Sequence, residues 1–346
     1  MIRRMAVLGA GVMGSEIAQT ASAGGVEVVL FDADPAALER GIGHVAKIGE
    51  RRVARGRMSE EEAQAIVARV TTASDDAALA DCDLAIEAVP EVMDIKRQVF
   101  RRLDAALPPH ALLATNTSGL SVSEMAAETG RPEQVVGLHF FNPASVMKLV
   151  EVIRGTTTSE ATMSAAETLA SSLGKVPVRV RECPGVLVNR VLVRALSSAY
   201  RRAAELGADM AAADAATVAG GPAPMGPFAL GDLIGLDTLG HIQDDLQAAY
   251  GDRFDDAGAV AAQVEAGRLG AKTGAGFFDG KAAQAEPDEA GRQVADTYYA
   301  SALDEARRCI DEDVAAPADV DLAMRHGCGW SAGPLEWAAS DEGRTP

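Results

Sequence analysis

The first half of the chain alternates short apolar runs with segments whose apolar residues recur at helical spacing. Residues 5–10 form an apolar run, residues 11–24 have helical spacing, and residues 26–32 form a second apolar run. A strand–helix–strand unit of about 30 residues predicts that its two strands pair in parallel. Further strands are predicted at 70–73, 83–88, 111–115, 135–140, 148–153 and 176–180. This alternation is typical of a doubly wound α/β domain.

The pattern changes after Pro184-Gly185, where strand-type runs stop and helical spacing continues. We place a domain boundary there and a second one in the polar stretch 281–288. A shift of 107 positions aligns the tail with the preceding module without a gap, pairing Glu205 with Glu312, Asp214 with Asp321, Gly220 with Gly327, and Gly226-Pro227 with Gly333-Pro334. The predicted domains are therefore 1–184, an all-α domain at 185–281, and a partial second copy at 288–340. An unrelated helical hairpin is the alternative for the tail.

Composition narrows the class of protein. The chain has 346 residues, 48% hydrophobic and 24% charged, which is typical of a folded globular protein. Its net charge of −18 argues against a nucleic-acid partner, and no polybasic run or long apolar stretch indicates a membrane partner. The four cysteines lack metal-ligand spacing, so we predict no metal site and a cytoplasmic protein with reduced thiols.

A glycine motif, Gly9-Ala10-Gly11-Val12-Met13-Gly14, follows the first predicted strand and opens a helix. Asp32 ends the next strand, as the dinucleotide-binding interpretation requires. Gly9 permits the tight turn, Gly11 lets the backbone approach a pyrophosphate, and Gly14 permits close packing of helix on strand. Asp32 accepts hydrogen bonds from ribose hydroxyls and repels a 2′-phosphate. The motif therefore predicts NAD rather than NADP, against the alternative of a purely structural glycine turn.

A second cluster contains the candidate catalytic pair. His139 ends a predicted strand at the edge of the sheet where ligands of α/β domains bind, and Glu151 lies on the following strand. An imidazole held by a carboxylate is a general base, because the carboxylate orients the ring and stabilises the imidazolium. From spacing alone, a core histidine with satisfied hydrogen bonds is the alternative.

Several longer motifs carry a family resemblance: Asn116-Thr117-Ser118, the run 139–143 with 146–152, Pro184-Gly185 with Asn189-Arg190, Met225-Gly226-Pro227-Phe228 with 232–237, and 270–278. Over residues 2–280 the chain resembles the 3-hydroxyacyl-CoA dehydrogenases, above all the short-chain 3-hydroxybutyryl-CoA dehydrogenases. The tail resembles the duplicated helical domain of the bacterial fatty-acid oxidation complex. The resemblance implies a Rossmann-type NAD-binding domain, a helical substrate and dimerisation domain, and a role in fatty acid metabolism such as β-oxidation.

The resemblance also implies roles for individual residues. His139 takes the proton from the substrate C3 hydroxyl while a hydride leaves C3 for NAD, and Glu151 orients His139. Ser118 and Asn189 hold the reacting oxygens. Because Asn189 lies past Pro184, we expect the site to close between the domains.

Cofactor and substrate contacts are implied in the same way. The family places Glu91 and Lys96 beside the nicotinamide half of NAD, with Asn116 also in the cofactor site. Arg51 and Arg55 match lysines that hold the phosphates of CoA, one helical turn apart on a helix predicted at 35–57. Without the resemblance, both pairs would indicate only solvated helix faces.

The sequence departs from the family at three positions. Gly119 replaces a second serine, which removes one hydroxyl. Glu16 replaces a glycine on the cofactor helix, so we expect its side chain to point away from the pyrophosphate. Asp296 stands in the tail where Asn189 stands in the first copy, which predicts a tail without catalysis. Single-module members of the family form homodimers, and we expect the tail to weaken or replace that contact, so that the chain is a homodimer or, where the tail replaces the partner, a monomer.

Three other functions remain open at this point. The same chemistry on a carrier-protein-bound acyl chain fits the Arg51 and Arg55 pair equally well. A dehydrogenase for a free 3-hydroxy acid is disfavoured by the 140–148 segment, which resembles the acyl-CoA branch. A nucleotide-binding structural protein leaves the set of Ser118, His139, Glu151 and Asn189 without a reason.

Overall fold

The computed structural model describes residues 2–282 and 284–341, in two units that divide between Glu182 and Cys183. The first unit contains one eight-stranded sheet. Its strands are β1 (Arg4–Leu8), β2 (Glu27–Phe31), β3 (Val70–Ala73), β4 (Leu84–Glu87), β5 (Leu112–Thr115), β6 (Val135–Phe140), β7 (Leu149–Arg154) and β8 (Val176–Arg181). Their spatial order is β3-β2-β1-β4-β5-β6-β7-β8, which confirms the doubly wound α/β class.

The sheet is not parallel throughout. Strands β1 to β6 are parallel, whereas β7 pairs antiparallel with β6, and β8 runs parallel to β7. A parallel crossover needs about a dozen residues or more, and the link 141–148 is too short for one. The chain therefore turns back directly after β6, and this reversal sets the register of the candidate catalytic pair.

Helices cover the sheet on the first unit: α1 (Val12–Ala23), α2 (Pro35–Ala54), α3 (Glu60–Ala68), α4 (Met93–Ala106), α5 (Val122–Ala126) and α6 (Glu160–Ser172). The start of α3 is a capping box, in which Ser59 Oγ accepts the Glu62 N–H at 3.1 Å and Glu62 Oε2 accepts the Ser59 N–H at 2.8 Å. The central strands are buried on both faces, as expected of a sheet covered by helices.

The second unit is built from helices: α7 (Val188–Leu206), α8 (Met210–Gly220), α9 (Pro227–Ile234), α10 (Leu236–Tyr250), α11 (Ala259–Glu265), α12 (Glu289–Asp311), α13 (Pro317–Gly327) and α14 (Pro334–Asp341). The strand-type runs of the sequence end with β8, and the segments that follow have apolar residues at helical spacing, which agrees with these helices. Within 2–282 and 284–341, no helix is long and apolar enough to span a bilayer.

The internal repeat is visible in the geometry of the second unit. Helices α13 and α14 begin and end 107 residues after α8 and α9. Asp214 Oδ1 accepts the N–H of Phe228 at 2.8 Å, and Asp321 Oδ1 accepts the N–H of Leu335 at 2.9 Å. In both copies, the other carboxylate oxygen accepts the next amide of the same helix. The two segments thus use the same carboxylate cap, which supports the interpretation of the tail as a partial copy.

Candidate active site

The candidate site residues of the first unit lie at one edge of the sheet. Strands β1, β4, β5 and β6 are consecutive neighbours and parallel, so their carboxyl ends meet at the same edge. The glycine loop follows β1, the Glu91 segment follows β4, Asn116 to Ser118 follow β5, and His139 is the next-to-last residue of β6. The fold thereby gathers segments that are far apart in sequence.

Steric contacts explain the glycines of the loop after β1. Gly9 has φ +101°, and a Cβ there would lie 2.6 Å from the Ala88 carbonyl oxygen. A Cβ on Gly14 would lie 1.8 Å from the Gly9 oxygen, so a side chain at either position would push the loop away from its neighbours. Gly11 differs, because no atom lies within 4 Å of its Cβ position. The start of α1 is thus open to a pyrophosphate, as an N-terminal anion site requires.

Asp32 braces the same loop from the end of β2. Its Oδ2 accepts the Ala10 N–H at 2.8 Å, and its Oδ1 accepts the Asp34 N–H at 2.9 Å. A carboxylate oxygen accepts two hydrogen bonds, so each atom retains capacity for a ribose hydroxyl. Val12, which is 60% exposed, begins α1 directly after Gly11, whereas Met13 is half-buried against the core of the unit. These residues fit NAD and would repel the 2′-phosphate of NADP.

A buried ion-pair network lies next to the loop. Lys96 on α4 and Glu87 at the end of β4 are 1% and 0% exposed, and Lys96 Nζ lies 2.7 Å from Glu87 Oε1. Lys96 also pairs with Glu91 Oε2 at 3.0 Å. Thr115 donates its hydroxyl to Glu87 Oε2 at 2.7 Å, so the buried charge is paired and hydrogen-bonded. Lys96 is therefore not part of a solvated helix face.

Glu91 connects this network to the segment after β5. Its Oε1 accepts the Thr117 hydroxyl at 2.5 Å and the Ser118 N–H at 2.9 Å. Burial opposes ionisation of Glu91, but Lys96 and these hydrogen bonds outweigh it and lower its pKa below the usual range. The carboxylate is thus held in its charged form and fixes the position of Ser118.

The candidate general base and its partner face each other across two strands. His139 on β6 is the register partner of Glu151 on β7 in the antiparallel pair, so both side chains are on the same face of the sheet. His139 Nδ1 lies 2.6 Å from Glu151 Oε2, with His139 7% and Glu151 0% exposed. The Phe141 ring packs on the imidazole with centroids 4.5 Å apart. The structure therefore forms the imidazole–carboxylate pair.

Two contacts hold the segments on either side of His139. Asn116 Oδ1 accepts the backbone N–H of Phe140 at 2.8 Å, which ties the end of β5 to the end of β6. Glu16, 5% exposed on α1, accepts the Ser145 N–H at 2.9 Å through Oε2, and its Oε1 lies 3.1 Å from His44 Nε2. The Glu16 carboxylate is thus engaged by α2 and the β6–β7 loop, rather than by the glycine loop.

Comparisons with known proteins agree with this geometry. The family model described as 3-hydroxyacyl-CoA dehydrogenase, NAD binding domain, matches residues 4–183. The model described as 3-hydroxyacyl-CoA dehydrogenase, C-terminal domain, matches residues 185–280 and 294–340. The chain belongs to the 3-hydroxyacyl-CoA dehydrogenase family. It is accordingly an NAD-dependent oxidoreductase whose first unit binds the cofactor.

Individual relatives of this dehydrogenase cover different shares of the chain. A probable 3-hydroxybutyryl-CoA dehydrogenase of Bacillus subtilis is 41% identical over 80% of this chain and 97% of its own. The fatty acid oxidation complex subunit alpha of Idiomarina loihiensis is 35% identical over 95% of this chain and 49% of its own. The crystal structure of 3-hydroxybutyryl-CoA dehydrogenase from Escherichia coli K12 superposes with a TM-score of 0.89 at 30% identity, over 98% of this chain and 92% of its own.

The remaining expected site residues of the dehydrogenase are on helices of the two units. Arg51 is in the last turn of α2 and Arg55 caps the helix, and both side chains are exposed. Asn189 lies in the first turn of α7, in the second unit, and is half-buried. Within 2–282 and 284–341, no cluster of His, Cys, Asp and Glu could hold a metal ion.

The sequence analysis did not identify Glu87, whose buried carboxylate pairs with Lys96. A signal was present, because a glutamate that ends an apolar strand at the carboxyl edge of a parallel sheet is unusual for a buried position. Thr115 and Thr117 were missed as well, since a single hydroxyl carries no spacing signal.

Proposed function

We propose that this dehydrogenase oxidises short-chain (S)-3-hydroxyacyl-CoA esters, such as 3-hydroxybutyryl-CoA, to 3-oxoacyl-CoA. The observation that carries the proposal is the 2.6 Å contact between His139 and Glu151 at the carboxyl edge of the NAD-binding unit. Relatives named 3-hydroxybutyryl-CoA dehydrogenase, at about 40% identity, support the short acyl chain.

His139 acts as the general base in this proposal. The Glu151 carboxylate only accepts hydrogen bonds, so His139 Nδ1 is the donor and Nε2 carries the free lone pair. His139 Nε2 removes the proton from the C3 hydroxyl, and Glu151 stabilises the imidazolium that results. When bound, NAD supplies the hydride acceptor. The low exposure of both side chains excludes water and strengthens their interaction.

Polar groups orient the reacting oxygens. Ser118, fixed through its N–H by Glu91, presents its hydroxyl to the substrate, and we assign the same kind of contact to the amide of Asn189. Lys96 and Glu91 form the polar wall on the nicotinamide side, together with Asn116. These groups place the C3 hydroxyl toward the imidazole.

We assign the phosphates of CoA to Arg51 and Arg55. Both guanidinium groups are exposed, and neither forms an ion pair within the described part of the chain. A guanidinium binds phosphate with two parallel hydrogen bonds, so arginine can replace lysine at such a position.

We propose that the tail, residues 288–340, is a non-catalytic partial copy that takes the place of a second subunit. Asp296 stands where the first copy has Asn189, and α12 packs along α7 within the second unit. Light scattering of the full chain is expected to show a monomer, whereas a chain ending at Lys281 associates. Equally stable dimers of both would contradict this proposal.

The activity test compares three substrates in NADH oxidation: acetoacetyl-CoA, free acetoacetate and a carrier-protein ester. We expect turnover of the CoA ester, and loss of about 10²–10⁴-fold in kcat for His139→Gln with NADH binding retained. His110→Gln is the matched control, because His110 is exposed and pairs with Asp83 away from the site. Turnover of the free acid or the carrier ester alone would replace the proposed substrate, and no turnover with any would refute the proposal.

A further inference from the structure

A polar pocket of the first unit lies outside the residues assigned so far. It is bounded by the second half of α1, the end of α2, the loop between β6 and β7, and the turn after α6, and its volume is about 310 Å³. Three of its lining residues are cations, Arg52, Lys148 and Lys175. Pockets of roughly 300–1,000 Å³ hold small ligands, so this one accommodates a compact polar group.

The three cations are not matched by carboxylates. Burial, together with repulsion from Lys148 and Arg52, lowers the pKa of Lys175 to about 8, and Glu16 partly opposes this shift. Neither Lys148 nor Arg52 forms an ion pair within the described residues. In a chain of net charge −18, three converging cations without an ion pair in the described residues are an exception that calls for an anionic partner.

Capping of helix carboxyl ends does not account for these cations. Helices α1 and α6 both end at this pocket, and cations near such ends interact with the free carbonyls. Those carbonyls are already bonded by backbone amides, with the Val26 N–H donating to Ala21 O at 3.1 Å and the Lys175 N–H donating to Ala170 O at 3.0 Å. Only Lys175 Nζ binds carbonyls, those of Ala144 and Met147 in the adjacent loop.

Two further donors in the pocket wall lack a partner. Gln19 and Thr20 on α1 are 1% and 5% exposed, and Gln19 Nε2 and Thr20 Oγ1 form no hydrogen bond. A buried polar group without a partner is costly, and its presence is a sign of a ligand or ordered water. All the groups in question donate hydrogen bonds, so the complementary ligand is an acceptor with several oxygens.

We propose that the pocket formed by Arg52, Lys148, Lys175, Gln19 and Thr20 binds a phosphate group. A phosphate offers only acceptor oxygens and two negative charges, which matches a wall of cations and donors. One source of the phosphate is the CoA ester, and this possibility rests on the proposed function. The other source is a free phosphate or diphosphate that binds independently of turnover.

Calorimetric titration of the full chain with inorganic pyrophosphate tests the pocket directly. Lys148→Ala and Arg52→Ala are expected to weaken binding about tenfold each, because each removes a charged hydrogen-bond donor. Lys47→Ala is the matched control, since Lys47 is an exposed cation of α2 that does not line the pocket. Lys148 is exposed, so its truncation leaves the core intact, and equal melting temperatures check this. Equal pyrophosphate binding by the wild type and both variants would overturn the proposal.

Steady-state kinetics identify the source of the phosphate. If the substrate supplies the phosphate, Lys148→Ala raises KM for acetoacetyl-CoA about tenfold with kcat unchanged. With the 3′-dephospho-CoA ester or the pantetheine ester as substrate, the wild type and the variant then have the same KM. If a free phosphate supplies it, the variant loses pyrophosphate binding while KM stays the same. A wild type that turns over no acyl ester refutes the proposed function, and the pyrophosphate titration still decides whether the pocket binds phosphate.

Discussion

Arg190 follows Asn189 on α7 and is completely buried, and the tail supplies the carboxylates that neutralise it. Arg190 Nε lies 2.7 Å from Glu305 Oε1, and its terminal nitrogens lie 2.7 and 2.9 Å from the two oxygens of Glu312. Its guanidinium carbon lies 4.2 Å from the centroid of the Tyr250 ring, and Arg253 also binds Glu305 at 2.9 Å. Burial opposes the charge of Arg190, but the hydrogen bonds to Glu312 and Glu305, with the neighbouring Cys309 and Tyr250, together outweigh it and raise the pKa of Arg190.

The two carboxylates differ in exposure, and this difference sets the expected magnitudes. Glu305 is 0% exposed and bridges two arginines, so Glu305→Gln removes a buried charge partner, at a cost of about 3–5 kcal/mol. Glu312 is 44% exposed, so solvent screens the loss, and Glu312→Gln costs about 1 kcal/mol. With about 2–4 °C per kcal/mol for a unit of this size, the Glu305→Gln variant is expected to melt about 6–20 °C below the wild type.

Urea denaturation and thermal melting followed by circular dichroism measure both variants. Glu289→Gln is the control on the same helix, since Glu289 is 81% exposed and lies 3.7 Å from Arg292, and it is expected to stay within about 0.5 kcal/mol of the wild type. The reasoning is refuted if Glu305→Gln costs no more than Glu312→Gln, or if both behave like the control.

Three other perturbations follow from the structure. Lys96→Met leaves the buried Glu87 carboxylate without its cation, so we expect the free energy of unfolding, measured by urea denaturation, to fall by about 3 kcal/mol. A fall of less than about 1 kcal/mol would contradict this. Gly14→Ala places a Cβ 1.8 Å from the Gly9 oxygen, so we expect NADH affinity, measured by fluorescence titration, to fall at least about tenfold, and an unchanged affinity would disprove the steric argument. Burial raises the pKa of Asp214 to about 6, above its unfolded value, so its contribution to stability is complete below about pH 4 and is lost as pH rises through 6. Urea unfolding of the wild type is expected to lose about 3 kcal/mol relative to Asp214→Asn over that range, and parallel pH profiles would rule this out.

The sequence alone determined the features that depend on a few neighbouring residues. Helical and strand periodicity and the steric demand for Gly14 are local signals, because each acts through contacts within one or two turns of chain. The repeat of Asp214 at Asp321 is a match between two segments of the sequence, so it too can be recognised without the fold. The α/β order and the NAD motif followed from these signals. The family resemblance then named the chemistry at His139 and its neighbours.

Only the tertiary structure decided which charges are buried and what neutralises them. Lys96 and Arg190 look like ordinary basic positions on helices, yet both are buried against carboxylates that lie nine or more than a hundred residues away. The direction of β7, and with it the register that places His139 opposite Glu151, was likewise invisible in the pattern of apolar residues. Periodicity shows which face of a helix or strand is apolar. Whether a charged side chain is buried depends on the residues that pack over it, and these are brought there by the whole fold.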